Sequence, residues 1–117
     1  MALHNDTGKH GEALAAAYFT TKGYIILHQN WRHRNWEVDI IASKSNMLHF
    51  IEVKARTSIK YGHPEENISP KKIRNLIDAS EQYLFLNPQW QRIQFDILSI
   101  TIKENVPEYF LIEDVYL

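Results

Sequence analysis

The sequence predicts an α/β fold: a mixed β-sheet flanked by helices, in the order α-β-β-β-α-β-β. Three observations carry this. An alanine-rich segment near the start has helix-forming composition. A Ser-Pro pair opens a second apolar-periodic segment further on, serine as N-cap and proline at the first helical position. Between and after them run apolar, β-branched stretches bounded by turn residues.

Taken in order, Gly8–Lys22 is the first helix, with Ala13, Ala15, Ala16 and Ala17 as helix formers and Leu14, Tyr18 and Phe19 as apolar bulk. Gly23 ends it, as glycine commonly does just past a helix C-terminus. Tyr24–Arg34 and Trp36–Ser43 are strands. Ser45-Asn46 is a turn, and Met47–Arg56 is a third strand that pairs with the second as a hairpin. Thr57–Ser69 is a loop marked by Gly62 and Pro64. Pro70–Leu86 is the second helix, stopped by Asn87-Pro88. Arg92–Lys103 is a strand, Asn105–Pro107 a turn, and Glu108–Val115 a short last strand.

The 117 residues fit one domain spanning 1–117, and 44% hydrophobic content supplies one core without staples. There is no cysteine, which excludes disulfides, thiolate zinc sites and a cysteine nucleophile. The start MALHNDTGKHGE lacks an apolar secretory core, and no run approaches the roughly 18 apolar residues of a membrane span. A soluble cytoplasmic protein is the expectation, with no membrane partner. A net charge of −1 argues against a non-specific nucleic-acid coat protein. The charge is uneven, however. His28 to Arg74 holds nine Lys and Arg against five Asp and Glu, and Asn75 to Leu117 holds two against seven. That asymmetry fits either one basic face or solvated loops.

The stretch HFIEVKART places Glu52 and Lys54 inside an otherwise apolar strand. Alternation sets them on one face, as it sets Glu37 and Asp39 on one face of the preceding strand. If the strands are neighbours, carboxylates and a lysine converge on one patch. Isolated charges there are costly to bury. A hard cation such as Mg²⁺ or Mn²⁺ would relieve them, since carboxylate oxygens suit it. Such a cation activates water and neutralises phosphate charge, with Lys54 stabilising the transition state or orienting water. An acid-x-Lys triplet alone turns up about once by chance in a chain of this size. The competing account is a half-exposed strand whose charges face water or pair together. The combination of an acid in one strand and Glu-x-Lys after a tight turn raises the weight of the metal account, and on the residues alone the two accounts stand level.

This arrangement resembles the PD-(D/E)xK nuclease signature. More closely, the chain resembles the YraN-like uncharacterised protein family, UPF0102, through GKHGEALAAAYF, GYIILHQNWR, WEVDIIA, HFIEVKART, YGHPEENISPKKIRNLIDASEQYL and FDILSI. The likeness runs from about Gly8 to Ile100. It implies a restriction-endonuclease-like core and kinship with archaeal Holliday-junction resolvases, which are metal-dependent dimers. It therefore implies nucleic acid, DNA and branched DNA in particular, as partner, and a homodimer. Residue by residue, Asp39 matches the first acid of the signature, Glu52 the second and Lys54 the lysine. Glu12, in the GE pair of the first helix, matches the helix glutamate of the resolvases. Glu37 matches the acid two residues before the aspartate. Where the family usually has glycine just before that acid, this chain has Trp36, which would narrow the cleft or stack on a base.

Arg32, Arg56, Lys71 and Lys72 are the candidate phosphate contacts, where basic side chains position a duplex without reading it. Each singly reads first as a solvated surface charge. Arg56 continues the Glu52–Lys54 face, and Lys71 sits near a helix N-terminus. The six histidines show no HExxH spacing. Trp31, Trp36 and Trp90, with Tyr61, read first as core or dimer contacts. Neither a GxSxG elbow nor a glycine-rich phosphate loop is present. The rival to a nuclease is a nucleic-acid-binding or protein-interaction module that keeps the fold without catalysis.

Overall fold

The computed structural model describes residues 2–57 and 69–115, with side chains from residue 9 onward. The elements are α1 (Ala2–Thr21), β1 (Ile25–His33), β2 (Trp36–Lys44), β3 (Met47–Arg56), α2 (Pro70–Leu86), β4 (Ile93–Lys103) and β5 (Val106–Ile112). They follow the predicted order. The strands form one five-stranded sheet ordered β1-β2-β3-β4-β5. Every neighbouring pair is antiparallel except β3 and β4, which are parallel with Leu48 opposite Ile93 and Arg56 opposite Thr101. The α2 segment is the crossover that a parallel pair requires.

Each helix covers one face of the sheet. Ala15 and Phe19 of α1 pack with Ile40, Ile51, Leu98 and Ile100. Leu76, Ala79 and Tyr83 of α2 pack with Val38, Ile41, Leu48 and Phe50. Phe19, Phe50, Ile51 and Leu98 are fully buried, each contributing about 1.5–3 kcal/mol. Gly11 lets α1 approach β3 closely: a Cβ built there would lie 2.5 Å from the Ala55 Cβ. Among the described residues no helix is long and apolar enough to cross a membrane.

Local chemistry accounts for the boundaries. At the end of α1, the Gly23 N–H donates to the Thr20 carbonyl and the Tyr24 N–H to the Phe19 carbonyl, at 3.1 and 3.0 Å. This double closure requires the left-handed φ of 92° that Gly23 adopts. Ser69 caps α2, its Oγ accepting from the Lys72 N–H at 3.1 Å. Ser45 and Asn46 both have positive φ, the two-residue turn that matches strand twist.

Two expectations need correction. The first helix begins at Ala2 rather than Gly8; no proline interrupts residues 2–8, and the cost of Gly8, about 1 kcal/mol relative to alanine, does not end it. The last turn is Glu104-Asn105, with φ of 50° and 65°, and β5 starts at Val106. Pro107 is a strand residue opposite Ile102. A residue without an N–H is tolerated because β5 is an edge strand. Of the loop expected over Thr57–Ser69, residues 58–68, with Tyr61 and His63, lie outside the described residues.

Candidate active site

The site begins where β2 and β3 part. Their ladder runs from Lys44 opposite Met47 to Ile40 opposite Ile51 and goes no further. Its continuation would set Asp39 opposite Glu52, and like charges directly opposite are destabilising. The Asp39 carboxylate takes over a strand's role instead, its Oδ2 accepting from the Val53 N–H at 2.8 Å. Strict alternation also breaks here: Val38 packs on the α2 side, whereas Ile40 and Ala42 pack on the α1 side. The opening forms a cleft lined by Asn35, Glu37, Asp39, Glu52, Lys72, Asn75 and Leu76.

The carboxylates repel. Burial, and then the Glu52 carboxylate, push the Asp39 carboxyl up from 3.8 to about 7, with Glu37 adding to the rise and the Val53 N–H and Lys72 opposing it. Lys72 reaches in from the first turn of α2, its Nζ 2.8 Å from Glu52 Oε2. The Lys54 head group meets that of Lys72. Burial, then this contact, lower the Lys54 ammonium, against the pull of Glu52 and Asp39. Burial alone would lower Lys72 too, but the hydrogen bond to Glu52 and the contact with Lys54 hold its proton more tightly. The two lysines therefore divide their roles: Lys72 keeps its charge and Lys54 yields its proton more readily than a solvated lysine.

The structure brings Glu37, Asp39, Glu52 and Lys54 of the predicted set together. Glu37 is exposed at the cleft wall and pairs with Arg32 Nη2 at 3.4 Å. Glu12 stands outside the cleft lining, exposed on α1 and accepting from Asn30 Nδ2 at 3.3 Å. Asn30, with φ of 53°, lies on β1 between the Gln29–Ile40 and Trp31–Val38 pairs, at the level of Asp39. Lys71 is exposed. Lys72, expected to face phosphate, is instead the partner of Glu52. Arg56 is no solvated charge, since its Nε and Nη2 are buried with no hydrogen-bond partner among the described residues. Trp36 does not line the cleft; with Trp31 and Trp90 it packs against the core cluster under α2. Among the described residues no three His, Asp or Glu side chains close into a metal-holding group. The donors on offer are Asp39 and Glu52, with Glu37 beside them.

Sequence reasoning missed Asn30, Asn35 and Asn75. It also missed a second buried polar group, His49 Nδ1 at 2.7 Å from Asp96 Oδ2 on the α1 side of the sheet. Asp96 further accepts from Gln94 Nε2 at 2.9 Å and the Asp114 N–H at 3.0 Å. A carboxylate within the apolar run FDILSI was the available signal.

Sheet, flanking helices and cleft define a class: a small α/β protein whose two opposed carboxylates and two lysines meet at a strand divergence. Within that class, the chain belongs to the uncharacterised protein family UPF0102, which it matches over residues 11–100. It is 44% identical to a UPF0102 protein of Flavobacterium psychrophilum over 86% of this chain and 84% of the relative. To a UPF0102 protein of Phocaeicola vulgatus it is 42% identical over 98% and 93% of the two chains. A UPF0102 protein of Bacteroides thetaiotaomicron is 41% identical over 90% and 86%.

Proposed function

We propose that this protein is a metal-dependent endonuclease that hydrolyses phosphodiester bonds in DNA, branched DNA included. The observation that carries the reading is the Asp39–Glu52 pair at the strand divergence, with Lys54 beside it. The donor set is all oxygen, and Asp39, pushed up to about 7 by burial and Glu52, is a carboxylate short of positive charge. Both features fit Mg²⁺ or Mn²⁺, which keep several waters and need only one or two carboxylates. The bound cation would supply Lewis-acid stabilisation of phosphate charge and a more acidic water.

The chain's own groups do the rest. Asp39 and Glu52 hold the cation, and the Val53 N–H fixes the Asp39 carboxylate in place. Lys54, whose proton is more loosely held than usual, orients the attacking water and meets the charge that develops on phosphate. Glu37 contributes at the cleft wall, and Glu12 through Asn30. Arg32 and Lys71, both exposed, are the phosphate contacts outside the cleft. The likeness to junction resolvases supports this reading, and a homodimer and a cytoplasmic location go with it.

The test is cleavage of labelled four-way junction, flap and linear DNA with Mg²⁺ or Mn²⁺, wild type beside Asp39→Ala and Glu52→Ala. Activity in the wild type alone is the expected outcome; equal activity in all three removes the assignment. One observation favours a second reading, a nucleic-acid-binding module without turnover: Lys72 already neutralises Glu52. In that case DNA binds without cleavage, and Asp39→Ala leaves binding unchanged or tighter.

A further inference from the structure

Lys72 holds a position that a cation would need. Its Nζ lies 2.8 Å from Glu52 Oε2, and the same ammonium acts on Asp39 and touches Lys54. The two partners are unequally shielded, since the Glu52 side chain is 12% exposed and that of Lys72 47%. Its backbone is pinned by the Ser69 cap, so only the side chain has freedom, and a lysine stem is long and flexible.

Resting on the nuclease reading, we infer that Lys72 is the resident counter-ion of the cleft, and that cation loading is an exchange in which its ammonium leaves Glu52. A cation about 2.1 Å from Oε2 and an ammonium 2.8 Å from the same oxygen stand at most roughly 5 Å apart. When ionised, Asp39 and Glu52 offer two negative charges, and Lys54 and Lys72 match them in number, while Glu37 at the cleft wall is paired with Arg32. A divalent ion added with Lys72 in place would overfill the cleft with positive charge. With Lys72 swung out, the two carboxylates face the ion, Lys54 remains beside it, and the freed ammonium stands at the cleft mouth, where a phosphodiester would enter. An ordinary surface ion pair would have no such coupling to a cation.

Calorimetric titration with Mn²⁺ tests the exchange, using the full chain as wild type, Lys72→Met, Lys72→Arg and Arg74→Met. Arg74 is exposed on α2 and outside the cleft lining, so its variant reports the general effect of losing one positive charge. Lys72→Met is expected to bind Mn²⁺ at least about tenfold more tightly than wild type. Lys72→Arg and Arg74→Met should stay within about threefold of wild type. Without cation, Lys72→Met should melt below wild type and gain more from added Mn²⁺. Equal or weaker binding by Lys72→Met overturns the exchange and leaves the metal reading standing. So does an equal gain in Arg74→Met. Absence of Mn²⁺ binding in every variant at millimolar concentration removes both.

Discussion

Asp39→Asn isolates the electrostatic cost of the cleft. In the fold the Asp39 carboxyl titrates near 7 rather than 3.8, through burial first and Glu52 second. A shift of roughly 3 units at about 1.4 kcal/mol each gives at most about 4 kcal/mol. The sign follows from proton linkage. Below the unfolded value both states hold the proton and nothing is lost. Between the two values the unfolded chain releases its proton first, so stability falls as pH rises. Above about 7 the full cost is present. Asparagine copies the protonated form and keeps an oxygen for the Val53 N–H. The variant should therefore match wild type near pH 4 and exceed it near pH 8 by about 2–4 kcal/mol. At about 4 °C per kcal/mol for a chain of this size, that is a rise of roughly 8–16 °C. Chemical denaturation in chelator at both pH values measures it. A difference that is absent near pH 8, or larger near pH 4, would refute the reasoning.

Three further expectations concern the frame around the cleft. Gly11→Ala places a methyl 2.5 Å from the Ala55 Cβ; overpacking of about 1–3 kcal/mol should exceed the gain of about 1 kcal/mol in helix propensity. The melting temperature should fall and recover when Ala55→Gly is added. Asp96→Ala leaves His49, 5% exposed, without its partner, and should cost about 1–3 kcal/mol, the penalty of an unsatisfied buried polar group. A loss under about 1 kcal/mol in urea unfolding would show that the pair is dispensable. Ser69→Ala removes the cap of α2 and should cost about 1 kcal/mol, with helix content measured by circular dichroism.

The elements whose signals are local were readable. Ser69-Pro70 and Asn87 bound α2 at both ends, Gly23 closes α1, and Ser45-Asn46 turns β2 into β3. Pro107 misled because proline signals a turn unless the strand is known to be an edge, and edges are decided by the whole sheet. The carboxylates and Lys54 were visible through strand alternation. The route by which they meet was not, because alternation itself fails between Val38 and Ile40. Lys72 and Glu52 lie on different elements brought together by the crossover, so no spacing announces their ion pair. Glu12 was carried by resemblance alone; it stands outside the cleft lining, and its side-chain partner is Asn30, a β1 residue with left-handed backbone.

The parallel pairing of β3 with β4 also has a kinetic meaning. Asp39 and Glu52 come from strands joined by a two-residue turn, and hairpins form in about 1–10 μs. Lys72 belongs to the crossover that must close before Leu48 can meet Ile93, a longer-range event that slows folding. The acidic half of the cleft is thus specified by neighbours in sequence, and its ammonium is delivered by the slower closure. Lengthening the chain between β3 and α2 should delay the arrival of Lys72 without separating the two carboxylates, whereas altering the turn at Ser45-Asn46 would disturb the pair before any counter-ion reached it.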